Sequence, residues 1–376
     1  MAKKSATHEV DKAKNKQLAI IIAIILIVVI ISSAGLFAAF YYTDYSVNPD
    51  ISEDFSAKNV ILLIGSGMGQ NQIDTASLTQ DLYMTTASYQ GTISTRSLSI
   101  LPTNSAAAAT AMATGSKVFN DNISYLMGES LTNLGTLVSD SSKSLGIVTN
   151  SYACGATPAA FTSSVKSADS LSEIAYQQIS NSEIDYLVGL GSQYYNDYAS
   201  LINTDTREYL TSYSDLTSSV ANEQFAILGD NAITTDGECT LASLTQDALA
   251  KLSNNDDGFF LMVESDSIET ASQENDIDSM IAEVIAFDSA VQVAMTYATM
   301  HQEDTLVIVV GDHETGWLAM PKDDAAENIS DDNFGASFNS YRDTMYYATG
   351  VGAEAIPTHI DNSDIFSIIV DILNLI

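Results

Sequence analysis

The stretch DTLVIVVGDHETG (304–316) runs from an unbroken apolar segment, Leu306 to Val310, straight into Gly311, Asp312 and His313. A strand with one wet face would alternate apolar and polar residues; an unbroken apolar run predicts a strand buried on both faces, as in a mainly parallel sheet. The pattern recurs in NVILLIGSGMG (59–69) and GFFLMVESDSIETASQEND (258–276), and more briefly in LGIVTNS (145–151) and IDYLVGL (184–190). Between these runs lie crossover helices, of which 276–300 is the clearest. There Ile277, Met280, Ile281, Val284, Phe287, Val291 and Met295 mark one face. Residues 364–376 form a last apolar helix, too short to span a membrane. The pattern predicts an α/β fold, with no internal repeat and no second-domain boundary after Asn59.

Two of the polar strand ends carry chemistry. IGSGMG follows a strand directly, at the carboxyl end where open α/β sheets place their ligands. In GDHETG an anionic oxygen donor, Asp312, stands beside an imidazole, His313, a pairing suited to a transition metal. A fourth segment, TNSAAAATAMATG (103–115), puts Ser105 at the start of an alanine-rich helix, where free N–H groups and the helix dipole stabilise an anion or an alkoxide. By itself that segment is equally a capping site for Asn104 or Ser105. The chain has four histidines, His8, His301, His313 and His359, so an imidazole-rich site cannot be built.

The 376 residues are 46% hydrophobic, enough for a large core, and carry a formal charge of −34. The charge is uneven. Residues 1–42 hold five lysines against Glu9 and Asp11, so the remainder is more acidic still. Such a surface repels nucleic acid, slows capture of anionic substrates and favours loose binding of divalent cations. Leu18 to Tyr42 is an uncharged, mostly apolar stretch preceded by Lys3, Lys4, Lys12, Lys14 and Lys16. It predicts a single-pass anchor with a cytoplasmic N-terminus. A signal peptide cleaved near Ser32-Ser33-Ala34 is the competing reading, but the apolar run continues to Phe40. The expected organisation is a cytoplasmic basic tail (1–17), a transmembrane helix (18–42), an acidic spacer (43–58) and an extracellular domain (59–376) on the cell membrane. Cys154 and Cys239 allow one disulfide, which spacing cannot establish.

Taken together, these segments with KSLGIVTNS (143–151), ATPAAF (156–161) and EIAYQQISNSEIDYLVGLGSQYY (173–195) resemble the alkaline phosphatase family in order and register, from residue 59 to about 376. The motifs TxSAAAxTAxATG, FLMVE and DTLVxVxxDHETG make the resemblance specific. It implies a three-layer αβα sandwich. It also implies a serine that attacks phosphorus, two zinc ions, a magnesium ion, an arginine that grips phosphate, and a homodimer as an assembly common in the family.

Carried over residue by residue, the nucleophile is Ser105, with Asn104 where the family has aspartate. The zinc beside the nucleophile would use Asp312, His313 and the aspartate of GDGMG, which is Ser66 here. That same aspartate would bridge to magnesium, whose other ligands match Thr157 and Glu264. At the second zinc the ligand positions fall on Glu269, Gln273 and Asn339, one carboxylate and two amides in place of a carboxylate and two imidazoles. The arginine position, eleven residues after Thr157, is Ala168; Lys166 lies nearby, and Arg96, Arg207 and Arg342 are the only arginines. Asp266 stands where the family has glycine. In so acidic a chain a solvated aspartate is the expectation, against a new anionic ligand near Glu264. Cys154, three residues before Thr157, is expected to be buried apolar filler.

The surviving donors, rich in oxygen, suit Mg, Mn or Ca better than Zn, and the full two-zinc-plus-magnesium set is not expected. Two functional expectations follow. One is a protein that has lost most phosphomonoester hydrolysis and binds a cation, a small ligand or a partner in the inherited cleft. The other is a working phosphomonoesterase using Ser105 with an altered Mg, Mn, Ca or single-zinc site. The Cys/Ser-x-Pro-x-Arg motif of the related sulfatases is missing.

Overall fold

The computed structural model describes residues 55–180, 184–202, 205–320 and 328–376. The expected tail, anchor and most of the spacer therefore lie outside the described residues. In chain order the strands are β1 (Asn59–Gly65), β2 (Tyr89–Ser94), β3 (Tyr125–Leu126), β4 (Glu129–Ser130), β5 (Ser144–Tyr152), β6 (Tyr186–Leu190), β7 (Arg207–Leu210), β8 (Glu223–Leu228), β9 (Phe259–Ser265), β10 (Thr305–Gly311), β11 (Thr344–Gly350) and β12 (His359–Asp361). β3 and β4 make a small hairpin. The other ten strands form one sheet in the order β12-β2-β11-β10-β1-β9-β5-β6-β8-β7.

The five apolar runs become β1, β5, β6, β9 and β10, paired parallel around β1. Alternate side chains of each strand enter opposite cores. Val60, Leu62 and Ile64 of β1 join Phe260, Met262, Ile308 and Val310 beneath the helices Ser105–Thr114, Ala156–Thr162 and Asp364–Leu373. Ile61 and Leu63 join Leu261, Val263, Val307 and Val309 beneath Leu241–Leu252 and Ile277–Met300. Helices thus cover both faces, and every residue of β1, β9 and β10 is buried.

The sequence pattern did not announce β2, β7, β8, β11 and β12. These are short or mixed in polarity; β11 is antiparallel to both its neighbours, so the sheet is mainly rather than wholly parallel. Packing also begins before Asn59, because Ala57 is buried and donates its N–H to the Ile372 carbonyl at 2.9 Å.

The helix Ile277–Met300 is long and apolar enough to cross a membrane by length and composition alone, yet Met280, Val284, Phe287 and Val291 pack into the core. Ile281 and Met295, expected on that buried face, are only partly covered. Asp288 on the same helix is buried and accepts the N–H groups of Tyr83 and Met84 at 2.7 and 2.8 Å. Burial is the main cause that raises its carboxyl above the usual range. Cys154 and Cys239 are free and buried in the cores on opposite faces of the sheet, which rules out a disulfide between them. Burial pushes the Cys154 thiol up to about 12, as inert filler requires.

The end of β10 touches the turn after β1 so closely that a Cβ on Gly311 would lie 2.0 Å from the Met68 carbonyl. Gly311→Ala should therefore lower stability by about 1–3 kcal/mol, the usual cost of overpacking. Gly229→Ala, with no atom within 4 Å of the added carbon, should stay within about 0.5 kcal/mol. Denaturant unfolding of the two variants measures the contrast, and equal stability would contradict this packing.

Candidate active site

Register builds the site. Gly65 at the end of β1 pairs with Ser265 of β9 on one side and with Gly311 of β10 on the other. The next residues, Asp266, Ser66 and Asp312, therefore emerge side by side from three adjacent strands at the carboxyl end of the sheet. Ser66 Oγ donates to Asp312 Oδ2 at 2.9 Å, and its N–H donates to the Ser265 carbonyl at 2.9 Å. Asp312 Oδ1 accepts the N–H groups of Gly67 (2.9 Å) and His313 (2.7 Å). Gly67 is required here, since its φ is +73° and a Cβ would meet the Glu269 backbone at 2.9 Å.

Ser105 arrives from the opposite helix layer. Asn104 caps the helix, its side chain accepting from Ala107 N–H at 3.1 Å, and Gly115 ends it in the left-handed conformation. The cap leaves Ser105 at the first turn, and the alanines behind it let the helix lie close beneath the sheet. Ser105 Oγ stands 3.3 Å from Ser66 Oγ, 3.0 Å from Glu269 Oε2 and 3.1 Å from His313 Nε2.

The hydrogen-bond network assigns the imidazole tautomer. Thr315 Oγ1 donates to Asn339 Oδ1 at 2.8 Å, so it accepts from His313 Nδ1 at 3.2 Å, and the Nδ1 carries the proton. Nε2 is left as an acceptor facing Ser105. Asn339 Nδ2 lies 3.3 Å from it and also donates to the Thr103 carbonyl at 2.9 Å.

Glu264 and Thr157 sit deeper. Glu264, 3% exposed, accepts a 2.6 Å hydrogen bond from Thr149. Its carboxyl is pushed up to about 8 by burial and, less strongly, by the charge of Asp266. Thr157 Oγ1 has no hydrogen-bond partner although the residue is 1% exposed. Asp266 is half-buried rather than solvated, and its carboxyl is raised to about 6, first by burial and then by Glu269.

The remaining expected positions are engaged by neighbouring protein groups. Gln273 Nε2 donates to Glu269 Oε1 at 2.8 Å, and both polar ends of Asn339 bond to protein groups. The donor set of the second zinc is thus one shared carboxylate and two engaged amides, which does not fit zinc. Among the described residues no three His, Cys, Asp or Glu side chains make a ready metal cage. The Glu264, Thr157 and Asp266 oxygens do fit a hard divalent cation in kind. Ala168 connects through Asp121 to the residue before Ser105: its N–H donates to the Asp121 carbonyl at 2.8 Å, and the Asp121 carboxylate accepts from Asn104 at 2.7 Å. No Lys or Arg among the described residues hydrogen-bonds Ser105. Lys166 and Arg96 are exposed, Arg207 pairs with Glu223 at 2.7 Å, and Arg342 bonds the Leu318 carbonyl at 2.7 Å.

Thr149, Thr315 and the Thr103 carbonyl were not foreseen. Threonines carry no distinctive pattern, although Thr315 lies within the same GDHETG segment as the imidazole it orients.

A family profile described as alkaline phosphatase matches residues 57–204 and 184–362. Alkaline phosphatase 3 of Bacillus subtilis (strain 168) is 30% identical over 293 residues, covering 71% of this chain and 63% of the relative. Alkaline phosphatase 4 of the same strain is 29% identical over 285 residues, 69% of this chain and 62% of the relative. The chain thus spans a little over three-fifths of the length of these curated relatives. A membrane-bound alkaline phosphatase of Bombyx mori is 38% identical over 90 residues, 24% of this chain and 15% of the relative. Among solved structures, the alkaline phosphatase of the Antarctic bacterium TAB5 superposes with a TM-score of 0.76 at 25% identity, covering 85% of this chain and 99% of that one. A variant of it with Mg bound in its M3 site superposes at 0.73 and 26% identity, with the same coverage.

The buried Glu264 carboxyl has a measurable consequence in the metal-free protein. Its proton is held more tightly folded, at about 8, than unfolded, near 4.5, so this group's contribution to stability falls as pH climbs between those values and is level above. Glu264→Gln should remove that slope and, in EDTA, gain stability on the order of several kcal/mol over the unaltered chain at pH 8.5 relative to pH 5. Parallel pH profiles from urea melts would contradict the assignment.

Proposed function

Because this chain belongs to the alkaline phosphatase family, we propose that it is a membrane-anchored extracellular protein that keeps the family's cleft for a cation or small ligand and hydrolyses phosphomonoesters weakly or not at all. The observation that carries this is local. Neutral side chains stand where the resemblance places an aspartate and two histidines: Ser66 lies against Ser105, and Gln273 and Asn339 lie against its neighbours Glu269 and His313. Phosphoryl transfer relies on positioning and on cations that neutralise the attacking and leaving oxygens. Here a phosphate dianion would meet Glu264, Asp266, Glu269 and Asp312 with no arginine to offset them. Residues 18–42 are the proposed anchor, 1–17 a cytoplasmic tail and 43–58 a spacer; the membrane-bound relative supports this placement in kind.

A second reading draws on the 3.1 Å approach of Ser105 Oγ to the unprotonated Nε2 of His313. That contact favours an altered phosphomonoesterase in which His313 holds the serine proton, and in which Mg, Mn, Ca or a single Zn near Asp312 would neutralise charge on the reacting oxygens.

Assays with p-nitrophenyl phosphate across Mg, Mn, Ca and Zn decide between them. The chain carrying Ser66→Asp, Gln273→His, Asn339→His and Ala168→Arg together should turn over at least about 10²-fold faster than the unaltered chain, the scale of a single well-aimed electrostatic group. Enzyme-like turnover by the unaltered chain that Ser105→Ala abolishes would establish the second reading instead.

A further inference from the structure

A cavity of about 360 Å³ opens at the carboxyl end of β9, on the face of the sheet away from the Ser105 helix. Side chains alternate along a strand, so Ser265 follows Leu261 and Val263 toward the helices Leu241–Leu252 and Ile277–Met300, whereas Glu264 goes with Phe260 and Met262 to the nucleophile's side. Ser265 and Asn150 form the floor, where Asn150 Nδ2 donates to Ser265 Oγ at 3.2 Å. The loop after β8 forms the outer wall, folded back by the Thr234 N–H, which donates to the Cys239 carbonyl at 2.9 Å. The volume is that of a small-molecule site.

The lining is divided between apolar and charged groups. Leu241 and Phe287 are buried, and Ile233 and Ala286 half-buried, so much of the cavity is hydrocarbon. Glu283 stands three and four residues before Ala286 and Phe287, which puts its carboxylate on the same side of the helix as both. It is half-buried, and its Oε1 accepts the Thr235 hydroxyl at 2.7 Å. Among the described residues no Lys, Arg or His pairs with it. An ionised carboxylate accepts at two oxygens, so one hydroxyl leaves it underused.

Charge and shape together select the occupant. An anion would be repelled by Glu283, and a neutral apolar molecule would desolvate that charge without pairing it. A bare metal ion needs several oxygen ligands; among the described residues no three His, Cys, Asp or Glu side chains gather, and Phe287 and Leu241 would gain nothing from one. A primary ammonium satisfies both halves. Its three N–H donors match the carboxylate and the hydroxyls of Ser267 and Thr235, while its carbon body covers the apolar side.

We propose that this cavity is a second binding site, separate from the Ser105 cleft, for a primary ammonium on a short apolar or aromatic body, with Glu283 as its counter-ion. It does not rest on the function proposed above, and the p-nitrophenyl phosphate assay can succeed or fail without touching it.

The probe is benzylammonium, with benzyl alcohol as its neutral counterpart, titrated into the full-length chain at mildly alkaline pH and read by calorimetry and ligand-observed NMR. Benzylammonium should bind at least about tenfold more tightly than the alcohol, the scale of a hydrogen bond to a charged group. Glu283→Gln keeps an acceptor for Thr235, so it should leave Tm in place while bringing the two probes to similar affinity. Ala286→Phe should fill the cavity and abolish binding, whereas Asp278→Asn, an exposed acid on the same helix, should change nothing. Equal affinity for the two probes in the unaltered chain, or no binding at all, would overturn the proposal. So would binding that survives Ala286→Phe, which would place the ammonium on the outer surface. A fall in Tm together with binding in Glu283→Gln would make Glu283 a tether for the loop and overturn its role as counter-ion.

Discussion

The parallel pairing of β1 with β9 on one side and β10 on the other, in step along their whole length, is the constraint on which the rest of the site depends. Each strand is buried on both faces, so a slip of register would break every ladder bond and move each side chain into the opposite core. The register therefore holds Asp266, Ser66 and Asp312 in one row. The close approach of Gly311 to the Met68 carbonyl keeps the turns above that row tight. Whatever stands at 66 faces Asp312 and Ser105.

Two layers then meet over this row. The Ser105 helix comes from the core that holds Ala106, Ala109 and Met112, whereas Glu269 comes from the helix that follows β9 on the other side of Gly67. Their meeting point is polar but mostly closed, and four carboxylates share it with one imidazole. Burial away from water raises the cost of each unpaired charge, which is why Glu264 and Asp266 hold their protons more tightly than free carboxyls do.

Much of this was legible in the residues. The central strands announced themselves because burial on both faces demands unbroken apolar runs, and the motifs after them named the family. The edge strands did not, since a strand such as β2 or β11 with partial exposure mixes polarity and looks like loop. Asp266 was expected to be a solvated aspartate. Composition favoured that, and only the fold shows it half-buried, with its backbone beside Ser66 across the β1–β9 pairing. Likewise, that Gln273 and Asn339 spend their polar atoms on Glu269, Thr103 and Thr315 is a matter of contacts across long sequence separations.

Sequence alone determined the fold class and the family, because strand burial and short motifs are local properties of the chain. Tertiary structure alone decided which side chains share a point in space and which tautomer His313 takes. Those are properties of register and layer packing, in which residues about 40 to 250 positions apart come within hydrogen-bond distance and set one another's charge.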